Sequence, residues 1–316
     1  MKFTKSFNSN LIKLTKKNLH NRITFIGLGN MGFSMGGHLM KAGVKVAGFD
    51  ADSSVTEKFQ NAGGCKFQTL ESAVKESDAV ITMLPNGKIV ENVWNEVSNY
   101  ATKDCTLIDS STISPIDAGN LAKNAMAKGF TCADAPVSGG VMGAFNGTLS
   151  FMIGTKPEDF EKIEKFVAPR GAKVFNCGEH GSGQIAKCCN NLCLGITMAG
   201  LSESLALGVK LGADPKILSE IMGVSTGRCW SLDTCNPIPG IMEGVPAARD
   251  YENGFSTALI SKDLGIALDC AKQTGLDLDL SNDTAKYYAN IRDAGLNNKD
   301  FSYVFQYILN NKTIKK

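Results

Sequence analysis

The 316-residue chain has no uninterrupted apolar run of about twenty residues, the length a helix needs to cross a bilayer, so no transmembrane span is expected. It also has no Cys-x-x-Cys pair and no paired Cys/His ligand spacing, which argues against a structural zinc site. Its three histidines, His20, His38 and His180, stand far apart, and no metal site is expected. A net charge of only +2 gives no general reason to expect nucleic acid or an anionic membrane as partner. Internal repeats and low-complexity segments are absent too.

The length suggests about two domains, each able to bury a core. Hydrophobic content of 43% and charged content of 20% fit a globular protein. The ten cysteines include the adjacent pair Cys188 and Cys189 in an apolar stretch. They read as small buried hydrophobes in a reducing compartment rather than as a disulfide set. No carboxylate occurs before Asp50, and residues 1–21 hold five lysines. That basic, acid-free start, with Leu11, Ile12, Leu14 and Leu19 able to form an amphipathic face, is expected to be a mitochondrial targeting segment.

Residues 23–26 form a β-rich run, followed at once by Gly27-Leu28-Gly29-Asn30-Met31-Gly32, a helix pattern over 33–41, and a second strand over 44–49 ending in Asp50. This is Gly-x-Gly-x-x-Gly in the strand–turn–helix–strand context that gives it meaning. The glycines permit a tight turn and close approach of a pyrophosphate, which meets the positive end of the helix. A carboxylate at Asp50 suits the ribose hydroxyls of NAD and repels a 2′-phosphate. No arginine follows in 51–57 to favour NADP. NAD is therefore the expected cofactor.

Strand patterns recur at 79–83, 106–109, 130–135, 149–154 and 173–175, with helix patterns at 115–128 and 157–167. This alternation predicts a doubly wound, mostly parallel Rossmann-type sheet domain with ligands at the carboxyl ends of its strands. Leu84, Pro85, Thr112 and the loop after Ala135 should then face the crevice. In that loop Ser138-Gly139-Gly140 can expose successive backbone N–H groups beside a hydroxyl, a nest suited to a carboxylate or phosphate. After Gly183 the pattern becomes helical, at 184–210, 214–222, 257–274, 281–294 and 300–309. The expected organisation is a targeting segment at 1–21, an NAD-binding domain at 22–183 and an all-α substrate and oligomerisation domain at 184–316. The loop 226–252, with Arg228, Trp230 and three prolines, is long enough to suggest function.

The stretch 185–201 is almost wholly apolar or small, as in a helix buried within one chain or between subunits, yet it carries Lys187, Asn190 and Asn191. Lys187 and Asn191, four apart, share one face. Taken locally, Lys187 is either a snorkelling lysine or a desolvated one whose lowered pKa suits proton transfer.

In order, Gly27–Gly32 after a strand, Asp134-Ala135-Pro136-Val137-Ser138-Gly139-Gly140, the set Gly183, Lys187, Asn190 and Asn191, and a late Lys262-Asp263 resemble the β-hydroxyacid dehydrogenases from about residue 22 onward. Stretches 227–246, 254–267 and 299–307 look like a mitochondrial member of that family. The resemblance implies NAD-dependent oxidation of 3-hydroxyisobutyrate to methylmalonate semialdehyde in the mitochondrial matrix, a step of valine breakdown. It assigns Lys187 as acid/base and Ser138, Gly139, Gly140 and Asn191 to substrate. Leu84, Pro85, Thr112 and Lys262 fall at the nicotinamide side of the cofactor, and Trp230 and Phe255 at the substrate wall. Ile89 stands where the family often has a polar residue and receives no role. A homodimer or homotetramer is expected.

Competing readings weigh less. A 2-hydroxyacid dehydrogenase built on His180 and Glu179 lacks a suitable arginine near the crevice. A phosphogluconate-type decarboxylating enzyme resembles Lys-x-x-His-Asn rather than the Lys-x-x-Asn-Asn here. A non-catalytic NAD-binding protein has no need of Lys187.

Overall fold

The computed structural model describes residues 22–313; the basic segment at 1–21 lies outside them. Five parallel strands form the first part of the sheet: β1 (Arg22–Ile26), β2 (Lys45–Phe49), β3 (Ala79–Thr82), β4 (Thr106–Asp109) and β5 (Thr131–Asp134). Their spatial order is β2-β1-β3-β4-β5. Helices α1 (Gly32–Lys41), α2 (Ser53–Asn61), α3 (Leu70–Val74), α4 (Gly87–Val97) and α5 (Pro115–Ala127) connect them. β3 is buried at every position, as a central strand covered on both faces must be.

The rest of the sheet changes direction. β6 (Val137–Ser138) and β7 (Leu149–Gly154) run antiparallel to one another, β5 meets β7 antiparallel, and β8 (Gly171–Gly178) pairs parallel with β7. Between them lie α6 (Gly140–Asn146) and α7 (Phe160–Val167). β8 is longer than the expected 173–175: most of its positions are exposed, and its extent follows its pairing with β7, with Val174 packed against the core, rather than any apolar alternation.

The helical part begins with α8 (Ser182–Lys210), 29 residues long. It continues through α9 (Pro215–Val224), α10 (Trp230–Thr234), α11 (Thr257–Thr274), α12 (Asp279–Ile291) and α13 (Val304–Leu309). The expected helix at 281–294 stops at Ile291, where the chain kinks through Gly295 in a left-handed conformation. The one expected at 300–309 opens with a 3-10 turn capped by Asp300, which accepts from Ser302 N.

By length and apolarity α8 could cross a membrane. Its Gln184, Lys187 and Asn191 are instead buried against protein groups, as in the core helix of a folded chain. Nor is α8 buried all round. Ile185, Cys189, Cys193, Leu207 and Leu211 are exposed, which corrects the expectation that the cysteines of this helix are all buried. Leu201, Leu205 and Ala206 face a core shared with Leu232, Ile238 and Phe305, while Met198 packs with Ile260, Leu264 and Tyr288.

Candidate active site

The glycine turn sits where β1 enters α1, and its residues answer separate demands. Gly27 has a φ of 94°, and a side chain there would collide with the Met83 carbonyl; one at Gly32 would strike the Gly27 carbonyl. Those two glycines serve the fold. Gly29 has nothing within 4 Å of the place a Cβ would occupy and is exposed. It leaves an open backbone surface in front of the amino end of α1, where a pyrophosphate would lie. Asp50 closes the turn from the end of β2: its carboxylate accepts from Leu28 N at 2.7 Å and from Asp52 N at 3.0 Å. Asn30 is exposed and Met31 half-buried at the same turn. These residues fit a dinucleotide.

The next two strand ends meet this turn. Leu84 N–H donates to Ser111 Oγ at 2.8 Å, and Ser111 Oγ donates to Asp109 Oδ1 at 2.6 Å. Thr82 Oγ1 donates to the same carboxylate oxygen at 2.7 Å. Burial pushes the Asp109 carboxyl up, against these hydrogen bonds. The loops after β3 and β4 are thereby locked together. From the helical side Lys262 Nζ, on α11, donates to the Thr112 carbonyl at 2.7 Å and reaches the Pro85 carbonyl at 3.5 Å. Leu84, Pro85, Thr112 and Lys262, taken from three segments of sequence, are thereby brought together.

Lys187 lies in the second turn of α8 and is 8% exposed. Burial is the main force lowering its pKa, from 10.5 to about 8; Lys262 lowers it further while Asp263 opposes the shift. No hydrogen bond to its ammonium is present among the described residues. Gln184, Lys187 and Asn191 fall three and four apart and form a buried polar stripe along the first turns of the helix. Asn191 Nδ2 donates to Asp263 Oδ2 at 2.5 Å, and Asn191 Oδ1 accepts from Asn190 Nδ2 at 3.0 Å. Asp263 Oδ1 lies 3.3 Å from Lys262 Nζ, an ion-pair distance without hydrogen-bond geometry.

The amino end of α8 is held by Asp134, the last residue of β5. Its carboxylate accepts from Gly181 N at 2.6 Å and Gln184 N at 2.9 Å, and burial pushes it up to about 6 despite those bonds. The loop leaving β5 leads directly into Ser138, Gly139 and Gly140. Gly139 and Gly140 have φ of 132° and 64°, both are exposed, and Gly140 has no neighbour where a side chain would project. The backbone at Gly139 and Gly140 is therefore open to solvent at the carboxyl end of β6.

The two residues expected at the pocket wall occupy different surroundings. Phe255 packs in the helical core, edge to face with Phe301 at 5.7 Å, in the cluster that includes Leu192 and Ile260. Trp230 opens α10 and is 56% exposed, and among the described residues no hydrogen bond or ring contact links it to the Lys187 stripe. His180 bonds through Nε2 to the Cys132 carbonyl at 3.0 Å, a structural use that leaves the histidine-based alternative without support. Sequence reasoning missed Gln184 and Asp134 and gave no role to Asp263. The signal for Gln184 was its place one turn before Lys187 in an apolar run.

Two family profiles cover the described chain. The NAD binding domain of 6-phosphogluconate dehydrogenase matches residues 22–178. The second, described as NAD-binding of NADP-dependent 3-hydroxyisobutyrate dehydrogenase, matches residues 181–308. The mitochondrial 3-hydroxyisobutyrate dehydrogenase of Drosophila melanogaster is 43% identical over 284 residues, covering 90% of this chain and 88% of its own. That of Homo sapiens is 41% identical over 294 residues, with 92% and 88% covered. Among solved structures, the Mycobacterium tuberculosis 3-hydroxyisobutyrate dehydrogenase with L-serine superposes with a TM-score of 0.87 at 38% identity. It covers 92% of this chain and 99% of its own.

Proposed function

The chain belongs to the 3-hydroxyisobutyrate dehydrogenase family, and on that premise we propose that it oxidises 3-hydroxyisobutyrate to methylmalonate semialdehyde with NAD, using Lys187 as the base. The observation that carries this reading is the burial of Lys187 between Gln184 and Asn191, with its pKa lowered to about 8. An amine so placed is largely neutral at mildly alkaline pH and can accept the alcohol proton.

The nicotinamide, when bound, supplies the hydride acceptor. Gly27–Gly32 and Asp50 hold the pyrophosphate and ribose, and the NAD preference rests on the Asp50 carboxylate, which disfavours a 2′-phosphate. Leu84, Pro85 and Thr112, clamped by Lys262, line the nicotinamide side. Amides of Ser138, Gly139 and Gly140 hold the substrate carboxylate, which fixes the carbinol carbon for transfer. As the C–H bond yields its hydride, the hydroxyl proton passes to Lys187 Nζ, making an ammonium. Asp263, linked to Asn191, favours that positive charge electrostatically. Trp230 and Phe255 are assigned to the pocket wall by family resemblance alone. The division at residue 183 is a functional one, since α8 begins against β5 and the loop after β4 and ends in the helical core.

The mitochondrial naming of the relatives supports a mitochondrial location for this chain, and the proposed reading extends it to the matrix and to valine breakdown. A homodimer or homotetramer is supported by the uncovered apolar residues Leu207 on α8, Leu211 just after it, and Ile217, Ile221 and Val224 on α9.

The test is NAD reduction at alkaline pH with 3-hydroxyisobutyrate, for the native chain and Lys187→Ala, with NADP and 6-phosphogluconate as controls. The expected result is native turnover with NAD and a loss of about 10²-fold or more in the variant, with NAD still bound. A variant keeping most of its activity sinks the assignment of Lys187. A native chain that binds NAD but oxidises none of the acids sinks the substrate.

A further inference from the structure

Gln184 is fully buried, and both ends of its side-chain amide are bound to one loop. Its Nε2 donates to the Ser111 carbonyl at 2.7 Å, and its Oε1 accepts from Ile113 N at 3.2 Å. These backbone groups bracket Thr112. The Thr112 carbonyl is itself taken by Lys262 Nζ of α11, and α11 is tied to α8 through Asp263 and Asn191. Gln184 N is in turn fixed by Asp134, so the helix can neither slide nor rotate without breaking bonds at its first turn. The loop at Thr112 is thus gripped from two helices, and the grip from α8 comes one helical turn before Lys187.

We infer that Gln184 is a positioning residue for hydride transfer: by bridging Ser111 and Ile113 it sets the separation between the nicotinamide-side edge at Thr112 and the Lys187 amine. It touches neither the reacting carbon nor the proton in transit. This rests on the assignment of Lys187 as base and of Thr112 to the cofactor. The cofactor edge and the base belong to different segments, and one short, doubly anchored amide fixes the distance between them. Misplacement by about 1 Å at such a site costs on the order of 10²-fold in rate.

The full chain is compared as native, Gln184→Met, which keeps the length and loses both bonds, and Gln184→Glu, which keeps the bond from Ile113 N and loses the one to the Ser111 carbonyl. Turnover, NAD affinity, the pH profile and the isotope effect with carbinol-deuterated 3-hydroxyisobutyrate are measured well below each melting midpoint. The expected result is a fall in kcat of about tenfold or more in both variants with a larger isotope effect. NAD affinity should stay within about twofold of native, and the acidic limb should remain near pH 8. If Gln184→Met fails to fold, Gln184→Glu decides. A kcat within about twofold of native in the folded variants, or a loss that follows NAD affinity alone, overturns the inference. Lys187→Ala, measured alongside, separates the two ideas. An inactive Lys187→Ala beside active Gln184 variants sinks only the role of Gln184. Turnover surviving in Lys187→Ala removes the base and this inference with it.

Discussion

At Lys187 the cost of burying a charge and the use of that burial are the same fact. Because its pKa falls from 10.5 to about 8, the unfolded chain holds more protons than the folded one between those values. Stability therefore rises with pH through that window, and the full cost is present below about pH 8. Lys187→Met should raise the melting midpoint at pH 7, by at most about 3 kcal/mol in free energy, while abolishing turnover. A variant less stable than native in calorimetry at pH 7 would contradict this. In the oxidation direction kcat/KM should climb as pH rises toward about 8 and then level off. Asp134 has the opposite sign relation. Its carboxyl, pushed up to about 6 from 3.8, stays protonated in the folded chain where the unfolded chain has released the proton. Stability conferred by Asp134 thus declines as pH rises from about 4 to about 6. Asp134→Asn should lack that decline, so denaturant titrations of the two proteins should diverge in slope across this range.

At the scale of elements, the turn from β1 into α1 separates a folding demand from a binding one. Gly32→Ala must displace the Gly27 carbonyl and the Phe25 ring, and should destabilise by about 1–3 kcal/mol. Gly29→Ala meets nothing within 4 Å and should fold with a native melting midpoint. It should bind NAD about tenfold or more weakly by fluorescence titration, since its methyl group intrudes where the pyrophosphate approaches. Native NAD affinity in Gly29→Ala would show that the phosphates lie elsewhere. These elements were legible in the sequence because strand, glycine turn and helix are local features. The short β6 and the extended β8 were not. β6 is two residues long, and β8 is set by pairing with β7 rather than by any alternation of its own.

At the scale of the whole molecule, α8, α9 and the turn between them leave Leu207, Leu211, Ile217, Ile221 and Val224 uncovered, the last 90% exposed. Such a surface favours association of identical chains. Leu211→Glu with Val224→Glu should shift the mass in light scattering toward the monomer. An unchanged mass would place the contact elsewhere.

The sequence by itself determined the sheet-then-helix order, the glycine turn, the carboxylate Asp50 at the end of β2 and the place of Lys187 on α8, because each is encoded within a few neighbouring residues. Only tertiary structure decided which groups surround that lysine. Asp263 lies 76 residues beyond Lys187, and the Ser111 and Ile113 backbone atoms that hold Gln184 lie 73 and 71 residues before Gln184. Contacts of that separation leave no period in the chain. They arise when the end of β5, the loop after β4 and α11 close around the first turns of α8, and desolvation there lowers the pKa of Lys187 to about 8.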